Sequence, residues 1–327
     1  MNKIIITGST GHIGNNLVRF LINNYPDIKI KLLVRNPNDK SINDLNVEKV
    51  VGDITDIDYL SKEIEEDSIV VHSAGYIDVT NKEKDMVELI NNIATRKIVD
   101  ICIKNKIKKL IYISSVDAIY KDKDGLITEP KEMFPELLKS EYGKSKAKAT
   151  KYVLDKLESK ELRGTIIYPS AVIGPYDYKV SSVGQALVDN IHNRIMARMK
   201  GGYNFIDVRD LSNAIAYACL NEVGYSYLVT GENMTIDELF LVIKNKLNKK
   251  RLPIKLPLWL VMVISNFAPM YYKMRKVKPV FTRFALKTLN TNHNYDNTLA
   301  KKELKLNNRP AKESIEDAID WFINNGY

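Results

Sequence analysis

Lys3-Ile4-Ile5-Ile6-Thr7-Gly8-Ser9-Thr10-Gly11-His12-Ile13-Gly14 joins a β-branched run to three glycines spaced three apart. Helical periodicity follows at once, with Ile13, Leu17, Phe20 and Leu21 on one face. Strand, tight turn and helix in that order present backbone N–H groups and a helix N-terminus to a pyrophosphate. Gly8 makes the turn, Gly11 lets backbone approach the phosphates, and Gly14 lets the helix pack on the strand. The spacing is G-x-x-G-x-x-G, which departs from the common G-x-G-x-x-G fingerprint. A glycine-bearing turn with no ligand gives the same pattern, so the stretch has to be weighed with its partners.

Length and composition bound the answer. The 327 residues suffice for one large α/β domain with a smaller companion, and a 45% apolar fraction marks a globular chain. A net charge of +9 suits nucleic acid, a membrane surface or an anionic small ligand. The lysines are scattered along helical patterns (Lys244, Lys246, Lys249, Lys250, Lys301, Lys302) and no nucleic-acid module is visible, which speaks against nucleic acid. The two cysteines, Cys102 and Cys219, lie inside apolar helical patterns and read as buried free thiols in a reducing compartment. The first strand leaves no room for a signal peptide, and no apolar run reaches the ~18 residues that span a bilayer. A cytoplasmic protein is expected.

Strand and helix patterns then alternate. Strands are predicted at 29–34, 47–51, 68–72, 109–114 and 163–168, with helices over about 81–105 and 141–160. Strands separated by helices imply crossovers, hence a doubly wound parallel sheet of Rossmann type with helices on both faces. Ligands lie at the carboxyl ends of such strands. Here those ends carry Gly8, Arg35, Asp53, Ala74, Ser115 and Pro169.

Each end has its own chemistry. Where an acid would accept from the ribose 2′-hydroxyl of NAD, this chain has Arg35, whose guanidinium suits the 2′-phosphate of NADP. The alternative is a surface arginine just past a strand. Asp53 can accept from the adenine amino group with Ile54 over the ring, or cap the helix beginning near Asp56. Ala74 and Gly75 are small enough for backbone to approach a cofactor, and His72 reads as a satisfied buried histidine.

Tyr142-Gly-Lys-Ser-Lys146 carries the strongest chemical signal. Spacing of i, i+4 puts Tyr142 and Lys146 on one helical face. A phenol near pKa 10 is a poor acid–base group at neutral pH, and a neighbouring ammonium, together with a positive nicotinamide ring, favours the phenolate. Tyr142 can then exchange a proton with a substrate hydroxyl or carbonyl while Ser115 holds the same oxygen. Ser114 is the alternative within the serine doublet.

The chain resembles the extended short-chain dehydrogenase/reductases. The likeness rests on Thr7–Gly14, Gly52-Asp53, His72-Ser-Ala-Gly75, Asn91-Asn92-Ile-Ala-Thr95, Tyr112-Ile-Ser-Ser115, Tyr142-x-x-x-Lys146 and Tyr168-Pro-Ser-Ala-Val-Ile-Gly-Pro175. It implies Ser115, Tyr142 and Lys146 as a catalytic triad, with Asn92 positioning the lysine through water. It also implies cofactor contacts from Gly8, Thr10, Gly11, His12, Ile13, Gly14, Arg35, Asp53, Ile54, Ser73, Ala74, Gly75, Tyr142 and Lys146. Tyr168, Pro169, Ser170 and Val172 would bind the nicotinamide carboxamide side. Phe205–Asp210 resembles the family's return segment, with Asp210 structural.

Arg35-Asn-Pro resembles NADPH-using reductases of the dihydroflavonol type, so NADP(H) is favoured over NAD(H). The C-terminal stretch (279–287, Tyr295-Asp296, Ile315 to Phe322) resembles the 3β-hydroxysteroid dehydrogenase-like branch. Sugar-nucleotide epimerases place an arginine before the segment equivalent to Phe205, where this chain has Gly201-Gly-Tyr-Asn204. Arg194 or Arg198 could substitute, although both read better as facing solvent from a helix over 180–199. Residues 1–175 are expected to form the NADP(H)-binding domain, rejoined by about 203–230, with 176–202 and 231–327 as substrate cap. No metal site is expected. The apolar 257–272 stretch, flanked by basic residues, is a buried helix, a lid over an apolar substrate, or an interfacial helix in weak contact with a membrane surface. The expected partner is a small-molecule substrate, and the resemblance implies a homodimer through the two long helices. The expected activity interconverts a secondary alcohol and a ketone on an apolar, steroid-like substrate. The alternatives are a nucleotide-sugar epimerase or dehydratase and a non-enzymatic dinucleotide sensor.

Overall fold

The computed structural model describes residues 3–78, 82–194, 197–257, 260–261 and 288–327. The strands are β1 (Lys3–Thr7), β2 (Lys29–Val34), β3 (Glu48–Val51), β4 (Ile69–His72), β5 (Lys109–Ile113), β6 (Gly164–Pro169), β7 (Ala171–Ile173), β8 (Ala197–Arg198), β9 (Gly202–Asp207), β10 (Ser226–Val229), β11 (Glu232–Thr235) and β12 (Ile254–Lys255). The helices are α1 (His12–Asn24), α2 (Ile57–Glu63), α3 (Lys84–Glu88), α4 (Ala94–Lys104), α5 (Glu141–Glu158), α6 (Ser182–Ile191), α7 (Val208–Leu220), α8 (Ile236–Lys246), α9 (Thr298–Glu303) and α10 (Ala311–Asn324).

Seven strands form one parallel sheet in the order β3-β2-β1-β4-β5-β6-β10. Its strands are apolar on both sides because both faces are covered. Ile4 and Ile6 of β1 join Leu17, Leu21, Leu211 and Ile215 under α1 and α7. Ile5 between them points the other way, toward Ile98, Val99, Val153 and Leu154 of α4 and α5. That is the pleat acting on a continuous apolar run. The chain order reverses between β1 and β4, which opens a crevice at their carboxyl ends.

A second, mixed sheet of β11-β9-β7 and helices α6, α8 and α10 enclose a separate core that includes Leu187, Phe205, Phe240 and Phe322. The segment at Phe205 therefore pairs with β7 and β11 rather than returning to the large sheet. The return is made by α7 and by β10, which pairs with β6.

Two predicted helices change. That over 81–105 comprises α3, one π-turn at Leu89–Ile93, and α4, and Asn81 lies outside the described residues. That over 180–199 ends at Ile191, and Asn193 takes a positive φ of 56° before the short strand β8. Apart from Pro257, Leu260 and Val261, the 257–272 stretch lies outside the described residues, as does 279–287. Among the described residues no helix is long and apolar enough to cross a membrane. Cys102 and Cys219 are buried free thiols.

Candidate active site

The glycine loop meets the end of β4 at backbone contact distance. Gly8 has φ +76°, and a Cβ there would lie 2.4 Å from the Ala74 nitrogen. A Cβ on Gly14 would lie 2.5 Å from the Gly8 carbonyl oxygen, so neither position admits a side chain. The Gly11 amide donates to Gly8 O at 2.9 Å and closes the turn. Helix α1 starts at Gly11 with no side-chain cap and no acid in its first turn. Its leading amides and the positive end of its dipole are left to an anion. The buried Ser9 hydroxyl has no partner among the described residues. The Lys179 ammonium donates to the Thr10 hydroxyl at 2.5 Å, and the His12 ring lies 3.0 Å from the Pro175 carbonyl. Ile13 packs against the core behind the loop. This cradle fits the pyrophosphate of a dinucleotide.

At the end of β2, Arg35 is exposed. Asp53 follows β3 and accepts from the Thr55 amide at 2.9 Å and the Thr55 hydroxyl at 2.7 Å. Those bonds, with Arg35 nearby, hold its carboxyl below the usual range. Asp53 is not the helix cap, because Asp56 caps α2 by accepting from Tyr59 N at 3.1 Å. Ile54 beside it is partly buried.

His72 ends β4 and is fully buried. Its Nδ1 lies 2.7 Å from the Thr7 hydroxyl and its Nε2 lies 2.9 Å from that of Thr95. Burial, with the charge of Lys146, pushes its pKa down to about 3. It is a neutral, satisfied core histidine. Ser73 donates to the Thr7 carbonyl at 2.7 Å and flanks Gly14.

Helix α5 is capped by Ser140, which accepts from Gly143 N at 2.9 Å. Its first turn carries buried Tyr142, on whose hydroxyl Ser115 acts to favour the ionised form. Ser114 instead shares a 2.6 Å hydrogen bond with Thr150. One turn on, the Lys146 ammonium donates to Ile113 O at 2.7 Å and lies 3.5 Å from the Tyr112 hydroxyl. It also lies 3.8 Å from where a Gly75 Cβ would be, so Gly75 brings the loop after β4 against the lysine. Burial lowers Lys146 to about 7. Burial, then the negative charge of Asp117, raises Tyr142, with Ser115 opposing. Burial and the charge of Asp117 thus favour the protonated phenol, opposing the pull expected of a neighbouring ammonium.

The two adjacent asparagines take different partners. Asn92 donates to Glu88 at 2.7 Å, and its buried Oδ1 has no partner among the described residues. Asn91 instead accepts from Tyr76 N at 2.7 Å and donates to Tyr76 O at 2.8 Å and to the Ser145 hydroxyl at 3.1 Å. Its Oδ1 lies 3.4 Å from where a Gly75 Cβ would be. The π-turn causes this, since its wider winding re-aims side chains relative to an α-helix. Asn91→Ala is expected to lose about 2 kcal/mol of stability and at least ~10-fold in kcat, because it orphans the Tyr76 backbone. Asn92→Ala, which loses the Glu88 bond alone and orphans no backbone group, is expected to cost about 1 kcal/mol and to leave kcat within about twofold. Paired denaturation and turnover measurements check the contrast.

Tyr168 points into the core among Val153 and Leu154, so its ring is not at the site. Pro169 is buried at the strand end, the buried Ser170 hydroxyl has no partner among the described residues, and Val172 packs on the α1 side. Arg194 pairs with Asp189 and Arg198 with Asp237, so neither reads as a solvent-facing cation. Asp210 accepts from the Arg309 backbone at 2.7 Å and pairs with its guanidinium, a structural role. Sequence reasoning missed Asn91, although Asn91-x-x-Ala-Thr95 was there to be aligned. It also missed Asp117 and Lys121, which nothing distinguishes within a charged loop.

The model of the NAD dependent epimerase/dehydratase family matches residues 4–229. Sterol demethylase protein B of Methylococcus capsulatus is 26% identical, covering 98% of each chain. The 3beta-hydroxysteroid-dehydrogenase/decarboxylase isoform 1 of Arabidopsis thaliana is 24% identical, covering 97% of this chain and 79% of that protein. The crystal structure of gox2253 superposes with a TM-score of 0.84 at 28% identity, over 100% of this chain and 99% of that one. A glycine cradle for a dinucleotide and a Ser–Tyr–Lys grouping on one crevice agree with these likenesses: the chain belongs to the NAD dependent epimerase/dehydratase family and is an oxidoreductase of the short-chain dehydrogenase/reductase type.

Proposed function

We propose that the chain interconverts a secondary alcohol and a ketone on an apolar, steroid-like substrate with NADP(H), using Tyr142 as the acid–base group. The observation that carries this reading is buried Tyr142 beside buried Ser115, with buried Lys146 one helical turn on. The dinucleotide, held by the Gly8–Gly14 loop and the 73–75 backbone, supplies the hydride acceptor or donor. Ser115 holds the substrate oxygen and Tyr142 takes or gives its proton. Lys146 supplies positive charge when protonated, and Asn91 keeps the loop at Gly75 against it. The low-dielectric setting strengthens each of these interactions. Relatives named for sterol and 3β-hydroxysteroid chemistry support the substrate class. Arg194 and Arg198, both paired with aspartates, are not left to meet a nucleotide-sugar diphosphate.

The test is absorbance at the reduced-nicotinamide band, with NADP⁺ or NAD⁺ and a pool of 3β-hydroxysteroids. Cofactor reduction is expected. No reduction, together with product formed from a nucleotide-sugar pool, would replace this reading with internally recycled hydride. Cofactor choice is tested separately. Arg35→Ala is expected to weaken NADPH by ~10–100-fold and NADH by less than about threefold, as a charge-assisted phosphate contact is lost. Equal losses in fluorescence titrations of the two would make Arg35 a bystander.

A further inference from the structure

The segment 175–181 leaves β7 and passes the glycine loop before α6 begins. Its start is tied to α1. Pro175 O accepts from the Asn16 side-chain amide at 3.1 Å and lies 3.0 Å from the His12 ring. The Arg19 guanidinium lies 4.4 Å from the centre of the Tyr176 ring, and Tyr178 packs edge-on to Trp321 of α10 at 5.0 Å. The Tyr327 hydroxyl donates to the Tyr178 carbonyl at 3.0 Å, and buried Asp177 accepts from Ser181 N at 2.7 Å. Tyr176 and Val180 take positive φ values of 62° and 46°, which a β-branched residue adopts only when its surroundings impose it. Between these fixed neighbours the segment holds out Lys179, whose side chain is half-exposed.

Lys179 reaches two loops at once. Its ammonium donates to the Thr10 hydroxyl of the glycine loop at 2.5 Å and lies 3.7 Å from the Asp39 carboxylate. Asp39 belongs to the turn after β2, where its amide donates to the carbonyl of Asn36, the neighbour of Arg35, at 3.4 Å. In a doubly wound sheet the loop after β1 meets the phosphates and the end of β2 meets the ribose 2′ position. A cation that touches both loops stands at the ribose edge between them.

Electrostatics says what belongs there. Lys179 adds positive charge beside the N-terminus of α1, where the dipole is already positive and the first turn carries no acid. The Asp39 carboxylate offsets part of this, but it is engaged by the Ser41 amide at 3.0 Å and the Ser41 hydroxyl at 2.6 Å. The Ser9 hydroxyl on the same loop is buried with no partner among the described residues. A phosphate monoester, with about −1.5 to −2 charges at pH 7, supplies the missing negative charge better than either phosphate of a diphosphate bridge.

We propose that Lys179 is a specificity residue for the adenosine 2′-phosphate, delivered from the segment that leads into the second core and completing a two-cation site with Arg35. This rests on the NADP(H) reading of the cofactor. With NAD(H) the ammonium keeps its contacts to Thr10 and Asp39, so Lys179 strengthens the binding of NADP(H) alone.

The test is fluorescence titration of the whole enzyme with NADPH and NADH, which needs no turnover. Adenosine 2′,5′-bisphosphate and 5′-AMP, which differ by the 2′-phosphate alone, are titrated in parallel. Lys179→Met is expected to weaken NADPH by ~30-fold and NADH by less than about threefold, because one charge-assisted contact is lost. The preference for the bisphosphate over AMP should fall by the same ~30-fold, and Lys179→Arg should restore most of both. A lysine that merely ties Thr10 to Asp39, or one that serves the diphosphate, would weaken NADPH and NADH alike, and that result overturns the proposal. Should wild type bind NADH as tightly as NADPH, the NADP(H) reading fails by itself. The nucleotide pair still decides the subsite: a lower bisphosphate-to-AMP preference in Lys179→Met supports it, and an equal preference overturns it.

Discussion

Tyr142→Phe is expected to bind NADPH within about threefold of wild type while losing roughly a thousandfold in kcat, the range general acid–base groups supply. A thousandfold corresponds to about 4 kcal/mol of barrier. The hydroxyl removed is the one beside Ser115, and the ring stays buried in the first turn of α5. Phenylalanine fills the same volume, so the fold should lose no more than ~1 kcal/mol. Asp117 and burial raise the phenol in the unliganded protein, so the proton belongs on Tyr142 at rest. The hydroxyl is thus poised first as a donor in the direction of ketone reduction. Single-turnover kinetics with a matched binding titration check this. Turnover retained in Tyr142→Phe would remove Tyr142 from the mechanism.

Lys146→Met separates catalysis from stability. Turnover is expected to fall by at least ~100-fold, as the charge that supports the phenolate is lost. Stability should respond differently with pH. Burial depresses Lys146 from 10.5 to about 7. Between those values the unfolded chain binds a proton that the native chain does not, so wild-type stability rises with pH across that window and is lost as pH falls through about 7. Methionine has no such proton, so this component of the slope, approaching one proton, should vanish. Denaturant midpoints at pH 6.5, 8 and 9.5 measure it. Parallel wild-type and variant curves would mean that Lys146 does not titrate in this range. His72 is also low, at about 3, but its window lies below pH 6.5 and does not overlap.

Local pattern carried most of the architecture. The central strands of the large sheet are short apolar runs closed by turns, and the order of strands and helices admits little besides a doubly wound sheet. The glycine loop was legible for the same reason, because Gly8 and Gly14 answer a steric demand made by atoms close in sequence and by one neighbouring strand. Tyr142 and Lys146 were legible through a fixed helical spacing.

The doublets were not legible. Ser114 and Ser115 differ in the sequence by one position, as do Asn91 and Asn92, and both pairs are equally polar. Strand register sends Ser114 toward Thr150 and leaves Ser115 to Tyr142. A π-turn sends Asn91 to Tyr76 and Ser145 and leaves Asn92 to Glu88. Lys121 is the extreme case. It stands in the charged stretch Lys121-Asp-Lys-Asp124, where a solvated loop is the natural expectation. Tyr295, 174 positions further along the numbered chain, buries it beside Asp117. Periodicity and spacing report which face of its own element a residue occupies, and that was enough for the fold, the glycine cradle and the Tyr–Lys pair. Which of two adjacent polar groups is desolvated, and what it then meets, depends on segments far apart in the chain, and so it was decided by packing.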